Sequence, residues 1–430
     1  MNPTIDIPSH PGKLDPSFGD AGEVIFKPPV DGHFDPAYMA LTPAGQSLIC
    51  GTLVTQNNPL YACIALKPNG KVDTGFGDNG WVFGLYKNEP TPFFNSSHAE
   101  NVAVLPDGKI LLSGNCFFAE NPLAYYGVAR LNADGSLDKS FGKNGTVIVD
   151  QPGHSRKGRR PRFAPSASLT LSSTAGGRRM CVLADGRIVL LIEFESTLPI
   201  IYGLACLMPD GSLDKQFNDT GYAQIDNAGL EQVLYEGVIA AHDDTISVCG
   251  SGLGDGYYTA ILNKFTGKGV LDKSFANNGV LLFPDSKPES DFLFMGMAVQ
   301  PNKRLLVAGL NGEAQALLLS LEPDGKANIQ FNRGQPLQAR IDDAPSMWSW
   351  AMVSQPEARI FVVGATMDNY DFTLTRLLSD GKPDESFSNG KAALRYNVRN
   401  YKAVAPVQIQ GNRVYFISRP NLYCGLLPGV

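Results

Sequence analysis

The sequence predicts an all-β fold of seven four-stranded antiparallel units arranged in a closed ring, and three observations lead to this prediction. The first is a repeat, because the stretch "LNADGSLDKSFGKNG" at residues 131–145 recurs in related form along the chain. The second is a succession of short apolar runs separated by Asp-Gly turns, without a sustained helical period. The third is that the two chain ends hold complementary parts of one repeat. Four-stranded units repeated around a ring form a β-propeller, which usually has about four to eight blades.

The strands of each blade follow in a fixed order within the repeat. In the second period, the strand-like runs "ENVAVL", "KILLSG", "YYGVARL" and "GTVIVD" are separated by "PDG", by a variable loop, and by "NADG" followed by a phenylalanine motif. Runs of Val, Ile, Leu and Tyr that are punctuated by Asp-Gly are typical of hairpins. Seven phenylalanines, 56 to 76 residues apart, mark the seven copies: Phe18, Phe76, Phe141, Phe217, Phe275, Phe331 and Phe387.

The phenylalanine motif, Leu-Asp-x-x-Phe-x-x-x-Gly, is predicted to be a hydrophobic plug between the third and fourth strands. Asp138 precedes a single helical turn, where its carboxylate can accept hydrogen bonds from free backbone N–H groups. Leu137 and Phe141 are spaced so that both side chains point inward. Gly145 permits the positive φ or the close approach with which the chain enters the next strand.

The closure of the ring is predicted from the split repeat. Residues 21–27 are expected to form the outer strand of the blade whose other three strands come from residues 402–427. The whole chain, residues 1–430, is then a single propeller domain with a basic insertion between two blades at residues 151–179. An open solenoid is the alternative, but it predicts capping repeats at both ends instead of complementary half-units.

The repeats resemble the delta-60 repeat family, which consists of bacterial proteins with tandem Leu-Asp-x-x-Phe-Gly-x-x-Gly units. The resemblance covers essentially the whole chain and is best at Leu14–Gly22, Leu137–Gly145 and Leu271–Gly279. It weakens at Asn328–Gly334, where Asn-Ile replaces Leu-Asp. The resemblance implies a β-propeller of unknown function and implies no catalytic residues.

Composition excludes several classes of protein. Hydrophobic residues make up 43% of the chain, which is enough for a full core. The net charge of −6 argues against a protein that coats duplex nucleic acid, and no apolar stretch is long enough to span a membrane. The start, "MNPTIDIPSHPG", lacks the features of a signal peptide, so we expect a cytoplasmic protein or one exported by another route. The seven cysteines lie mostly in apolar runs and are expected to be reduced core residues.

A binding site is predicted on the face of the ring that carries the turns between second and third strands and the links between blades. These loops vary in length, whereas the Asp-Gly turns of the opposite face are uniform, and variable loops on a rigid scaffold usually carry function. The candidate ligand-binding residues are Glu100, Asn101, Arg178, Arg179, Tyr235, Glu236, Trp348 and Trp350. Aromatic residues are frequent in the same regions: Phe34, Tyr38, Phe93, Phe94, Phe117, Phe118, Tyr125, Tyr126, Tyr257, Tyr258, Phe292, Tyr370 and Tyr401. Exposed rings beside polar groups favour a protein or glycan partner, whereas rings that fill gaps between blades are the structural alternative.

The insertion at residues 151–179 is basic and contains no carboxylate. Its cations are Arg156, Lys157, Arg159, Arg160, Arg162, Arg178 and Arg179. A basic segment on an acidic protein indicates an anionic partner, whereas its Ser, Gly and Pro content also fits a solvated insertion without a partner.

A metal-assisted hydrolase or lyase at the mouth of the central channel is the alternative function. His33, His98 and Glu100 are the candidate metal ligands, and catalysis would involve His98, Glu100, Arg178 and Glu236. The chain has no nucleophile elbow, phosphate-binding loop, zinc-protease or dinucleotide-binding motif at a credible position, so no cofactor is expected. The sequence therefore favours a binding propeller without catalytic residues over an enzyme.

Overall fold

The computed structural model describes residues 4–87, 95–118, 121–149, 179–195, 200–285, 289–354, 358–398 and 407–428. These residues form seven separate β-sheets, each with four antiparallel strands as its main body, which confirms the predicted seven-bladed propeller. Each space between two neighbouring blades contains one of seven apolar clusters among the described residues. The same part of the chain contains no helix with the length and hydrophobicity needed to cross a bilayer.

The blades follow one another along the chain. Blade 1 contains His33–Leu41, Ser47–Val54, Pro59–Leu66 and Trp81–Gly84, and blade 2 contains Asn95–Ser97, Asn101–Val104, Ile110–Phe118, Asn121–Leu131 and Thr146–Val149. Blade 3 contains Met180–Val182, Ile188–Glu195, Ile201–Leu207 and Tyr222–Gln224, and blade 4 contains Glu231–Ala240, Ile246–Gly254, Tyr257–Phe265 and Val280–Phe283. Blade 5 contains Phe292–Val299, Leu305–Asn311, Ala316–Leu321 and Leu337–Ile341, and blade 6 contains Ser346–Val353, Ile360–Thr366, Phe372–Leu377 and Ala393–Tyr396. Blade 7 contains Gln408–Gln410, Arg413–Ser418 and Asn421–Leu426 together with Lys13–Leu14 and Glu23–Val24, and Ile5–Ile7 and Ser9–Pro11 join blades 5 and 6. Two short 3-10 turns span Phe217–Asp219 and Asn332–Gly334.

The plug has the predicted local structure in all seven repeats. The seven phenylalanines are each at most 1% exposed. In every copy the side chain of the Asp, or of Asn328, accepts a hydrogen bond of 2.9–3.3 Å from the backbone N–H two residues later. Gly145 has a φ of +100°, as its position before the fourth strand predicted.

The plug also joins neighbouring blades, which the sequence did not reveal. Beside Phe141, the N–H of Gly142 donates to the carbonyl of Asp210 in the Asp-Gly turn of blade 3, at 2.7 Å. Gly211 in that turn has a φ of +89°, and a Cβ there would lie 3.0 Å from the Phe141 ring. Six of the seven joints have an equivalent backbone bond of 2.7–2.9 Å among the described residues. At these six joints, the turn after the third strand therefore rests on the plug of the preceding blade.

Charged side chains strengthen the joint. Arg130 lies over the ring of Phe141, pairs with Asp138 at 2.7 Å and donates to the carbonyl of Pro209 in the next blade. Lys109 pairs with the same carboxylate at 2.9 Å. Burial opposes ionisation of Asp138, but the hydroxyl, ammonium and guanidinium donors around it outweigh that effect and hold the pKa of its carboxyl well below the usual range.

The N-terminal segment closes the ring by completing blade 7, as predicted, although the strand is shorter than residues 21–27. Glu23 and Val24 pair with Tyr423 and Leu422 in antiparallel register. The Glu23 carboxylate accepts hydrogen bonds from Asn421 at 2.6 Å and from the Tyr423 hydroxyl at 2.8 Å. Lys13–Leu14 also pairs with the third strand of blade 7, at Leu426 and Gly425. The two chain ends therefore lie where the other blades have the turn that precedes the plug.

Residues 5–11 form an additional structure that we call the N-terminal strap. Ile5–Ile7 pairs in parallel with the outer strand of blade 5, and Ser9–Pro11 pairs in parallel with the outer strand of blade 6. Ile7 is fully buried, and the Asp342 carboxylate accepts a hydrogen bond from the Ser9 N–H at 2.8 Å. The strap therefore bridges the outer strands of blades 5 and 6. From the strap, the chain continues through Gly12 to Lys13–Leu14 of blade 7, and it so connects blades 6 and 7 where the described residues lack the backbone bond between plug and turn.

Candidate functional site

A repeated β-bulge interrupts the first strand, the edge strand of each sheet that contacts the first strands of neighbouring blades around the ring axis. The registers leave one extra residue in the first strands of blades 1, 4, 5 and 6, and the corresponding position in blade 2 is Glu100. The extra residues are Ala37, Glu236, Met295 and Ser349. A bulge re-aims a side chain out of the regular alternation of a strand. Among these five positions, only those of blades 2 and 4 carry a charge.

Glu100 is held at its bulge by the second strand of the same blade. Its N–H donates to the Ser113 carbonyl at 2.8 Å, and its carboxylate accepts a hydrogen bond from the Asn115 side chain at 2.8 Å. Burial raises the pKa of Glu100, and the nearby Arg179 and the Asn115 bond only partly offset this effect. Glu100 is therefore a buried titratable group with a raised pKa, as is common at ligand sites.

Arg179 of blade 3 interacts electrostatically with both bulge carboxylates. Its N–H donates to Asn101 of blade 2 at 3.0 Å, and its guanidinium lies 3.5 Å from the Glu193 carboxylate. It is also 5.9 Å from the centre of the Tyr202 ring. Burial opposes the charge, but Glu100, Tyr202 and Glu193 outweigh it and raise the pKa of the guanidinium. Arg179 therefore stays charged inside the ring.

Glu236 of blade 4 completes what we call the channel cluster, defined as Glu100, Arg179, Glu193 and Glu236. Burial raises the pKa of Glu236 to about 7, although the charge of Arg179 acts in the opposite direction. Its Oε2 atom is buried and has no hydrogen-bond partner among the described residues. A buried carboxylate oxygen without a donor is costly, and such groups in native proteins call for a ligand or another explanation.

The cluster offers several acceptors and one cation to a ligand. Because the bulges lie near the middle of the first strands, the cluster is inside the ring, between its two faces. Enclosure by the ring lowers the effective dielectric constant, so these charges interact more strongly than they would on the surface. The arrangement can bind a polar or charged group, and Glu236 can exchange a proton near neutral pH.

Four of the predicted ligand-binding residues have structural roles. Trp348 is fully buried and Trp350 is 8% exposed, so the prediction that they present rings to a ligand is wrong. Trp348 lies in the apolar cluster of blades 5 and 6, and Trp350 lies in that of blades 6 and 7. The buried Tyr235 donates to Asn263 at 3.1 Å inside blade 4. Asn101 is buried and connects Arg179 to the Tyr126 hydroxyl, which its amide approaches to 3.3 Å.

Most of the described aromatic residues fill joints between blades, because their rings are large enough to bridge two sheets. Phe34, Tyr38, Phe118, Tyr126 and Phe292 are all buried. Three rings are exposed at turns between second and third strands, namely Phe117 at 40%, Tyr257 at 40% and Tyr370 at 52%. These three belong to blades 2, 4 and 6 and lie on the face with the turns between second and third strands. Phe93, Phe94 and Tyr401 lie outside the described residues.

The candidate metal ligands are not grouped by the fold. No set of three or more His, Cys, Asp or Glu side chains in the described ranges is placed to hold a metal ion. His33 is exposed at the start of blade 1. His98 lies 3.0 Å from the Thr52 hydroxyl through Nδ1, and burial lowers its pKa. The hypothesis of a metal-assisted reaction thus gains no support from this region.

The basic insertion lies almost wholly outside the described residues. Arg156, Lys157, Arg159, Arg160, Arg162 and Arg178 belong to that part, and only Arg179 is described. The sequence did not single out Glu193 or Asn115, because both occupy the second strand. The alignment of "GNCFF" in blade 2 with "IEFE" in blade 3 was a usable signal, since Asn115 and Glu193 are equivalent positions in the repeat.

The raised pKa of Glu236 predicts that E236Q is more stable than the original protein at pH 8 and little changed at pH 5. Since the folded pKa of about 7 exceeds the ordinary 4.5, stability from this group is full at low pH and is lost as the pH rises through 7. Each tenfold change in proton affinity corresponds to about 1.4 kcal/mol, and access of water to the channel reduces the total to roughly 1–2 kcal/mol. Calorimetric melting at both pH values checks this, with E385Q at an exposed position as the control. An equal effect of E236Q at pH 5 and pH 8 would contradict it.

Comparisons with known structures find matches at low identity, one of them described as a β-propeller domain. The β-propeller domain of the Trilobed protease from Pyrococcus furiosus has 10% identity and a TM-score of 0.45, covering 93% of this chain and 95% of that chain. Sqt1 from Chaetomium thermophilum, bound to the N-terminus of the ribosomal protein L10, has 12% identity and a TM-score of 0.44, covering 92% and 97%. Polysaccharide lyase Uly1 has 11% identity and a TM-score of 0.44, covering 91% and 90%.

Sequence comparison identifies two repeats. No curated protein matches the chain. Residues 105–141 and 357–387 match the model of a domain of unknown function, DUF5122, described as a beta-propeller. Both segments contain an Asp-Gly turn, strands and a plug phenylalanine, Phe141 or Phe387. The delta-60 resemblance stays an interpretation of the motif. The matched segments make this chain similar to a β-propeller family of unknown function.

Proposed function

We propose that this chain is a non-enzymatic binding propeller, which holds a protein or glycan on the face with the turns between second and third strands. The channel cluster takes up a polar group of that partner. The observation that carries the proposal is the unpartnered, buried oxygen of Glu236, whose carboxyl group interacts with the Arg179 charge, as the enclosed Glu100 does. The rigid ring keeps these groups in place, so binding requires little ordering of the protein.

The exposed rings on this face support the proposal. Phe117, Tyr257 and Tyr370 present apolar surface at three turns around the ring, and aromatic residues are enriched in binding interfaces. A partner that covers these turns while placing a polar group in the channel would use both features. Because the three side chains are exposed, alanine can replace them without opening the core.

The experiment that tests the proposal is a glycan and peptide array probed with purified protein. We expect hits that weaken at least tenfold when Phe117 and Tyr257 are replaced by alanine, with an unchanged melting temperature. The matched control is I329A, since Ile329 is 79% exposed beside the plug of blade 5, on the opposite face. Hits that keep their affinity in the double variant would contradict the proposed face.

An acid–base enzyme is a second candidate, and the pKa of Glu236 favours it. A carboxyl group with a pKa of about 7 can donate or accept a proton at neutral pH. Turnover of an array hit by the original protein, with loss of turnover in E236Q and retained binding, would establish catalysis in place of simple binding.

The basic insertion keeps its own proposal of an anionic partner. Residues 151–179 contain seven cationic side chains and no carboxylate. Charge reversal at Arg159, Arg160 and Arg162 is expected to weaken binding to heparin or to anionic vesicles, and unchanged retention would remove the proposal.

A further inference from the structure

We propose that the channel cluster is a site for a cationic nitrogen, an ammonium or guanidinium group, received by the unpartnered carboxylate oxygen of Glu236. This inference rests on the proposed function, because it names the polar group that the channel takes up. It concerns the inner edges of blades 2, 3 and 4.

The balance of charges is the first argument. Among the described residues of the cluster, three carboxylates face one cation, Arg179. The guanidinium has Glu193 at 3.5 Å, and the Glu100 carboxylate has the Asn115 amide at 2.8 Å. Glu236 is left with a buried oxygen that no described group approaches as a donor. A second cation would compensate this negative charge through charge-assisted hydrogen bonds.

The donor and acceptor inventory is the second argument. Above its pKa of about 7, Glu236 is ionised and only accepts hydrogen bonds, so an anionic ligand would add repulsion without supplying donors. A neutral hydroxyl supplies one donor but leaves the buried charge uncompensated. An ammonium supplies three donors and a positive charge, and a guanidinium supplies five. The cluster therefore favours a cation over the polar groups of a neutral sugar.

An organic cation fits better than a metal ion. Metal ions in proteins require several ligands at about 2.0–2.6 Å. The described part of the chain holds no group of three or more His, Cys, Asp and Glu side chains arranged for this. An alkylammonium needs looser geometry, since hydrogen bonds of roughly 2.7–2.9 Å to two carboxylates suffice.

Proton release accompanies the binding of a cation. The groups that interact electrostatically with Glu236 are Arg179 and Tyr202 of blade 3 and Cys249 of its own blade. Burial raises the pKa of the Tyr202 hydroxyl to about 12 and of the Cys249 thiol still further, so neither titrates near neutral pH. A cation needs ionised Glu236, whose pKa is about 7. Affinity should therefore rise about tenfold between pH 6 and pH 8.

The test is an NMR titration of protein carrying carbon-13 at the glutamate carboxyl groups. The probes are n-butylammonium and the acetylated, amidated tripeptide Ala-Lys-Ala, and n-butanol is the neutral control. We expect both cations to shift the Glu236 signal and the neutral alcohol to leave it unchanged. Affinity should fall at least tenfold in E236Q, with a flat pH dependence, and should change less than twofold in E385Q, which alters the net charge equally at an exposed site. E100Q is the second variant and should weaken binding as well.

The outcomes distinguish a basic side chain of a partner from a small amine as the source of the cation. They also distinguish failure of the cation site from failure of the proposed binding function. Tighter binding of the peptide than of the amine supports a basic side chain of a partner, and the reverse supports a small amine. An unchanged Glu236 signal with both cations overturns the inference. If the arrays still give a hit that depends on Phe117 and Tyr257, the proposed function survives and the channel takes a different group. If the arrays give no such hit either, the proposed function fails too.

Discussion

Replacing Phe141 by alanine is expected to lower the free energy of unfolding by about 3–5 kcal/mol. The ring is fully buried, lies beneath Arg130 and supports the Asp-Gly turn of blade 3 through Gly211. Its removal leaves a cavity at a joint whose backbone bond and ion pairs depend on the plug. Urea denaturation followed by circular dichroism measures the change.

The matched control is Phe117→Ala in the same blade. Phe117 is 40% exposed at a turn, so its truncation should cost about 1 kcal/mol or less. Equal losses in the two variants would show that the plug does not join the blades. If F141A lowers the free energy of unfolding by less than about 1 kcal/mol, the assignment of Phe141 as a plug between blades is contradicted as well.

Deleting residues 1–24 is expected to prevent cooperative folding. The deletion removes the strap, the plug of blade 7 with Phe18, and the strand Glu23–Val24. Blade 7 would keep only three strands, and Asn421–Leu426 would become an exposed edge that can pair with other chains. We expect mostly aggregated protein, without a single melting transition in calorimetry.

A circular permutant separates ring closure from the strap. It starts at Pro29, runs to Pro428, and continues through a short glycine-rich loop into residues 13–27. Lys13 pairs with Leu426, so the two ends are already adjacent. We expect this permutant to fold with a single transition at a reduced melting temperature, because it regains the fourth strand but lacks the strap. A permutant as unfolded as the deletion would contradict the closure.

The repeat predicted the ring because each period contains its own strands, turns and plug. The buried phenylalanines and the Asp caps followed from residue types alone, since both effects are local. The strap could not be predicted, because Ile5–Ile7 resembles any short apolar stretch and pairs with strands more than 300 positions away. The contact between Gly142 and Asp210 was missed for the same reason, because it depends on how neighbouring blades meet.

The candidate site was only partly predictable. Glu100 and Glu236 were predicted to bind a ligand because each is a charged residue near the start of an apolar run in the sequence. The bulge at which they lie depends on register, which a single sequence does not display. Trp348 and Trp350 occur at similar positions, yet the sheets of blades 5, 6 and 7 enclose their rings. Trp348 and Trp350 therefore pack between blades, whereas the charged residues of blades 2–4 form the channel cluster.

The most direct measurement of the central claim is the pH titration of the Glu236 carboxyl group by carbon-13 NMR, with and without n-butylammonium. The claim is that the ring encloses the Glu236 carboxylate, which has an oxygen without a hydrogen-bond donor among the described residues and binds a cation there. We predict a midpoint near pH 7 for the protein alone and a lower midpoint with the cation. A midpoint near 4.5 that does not respond to the amine would contradict the claim.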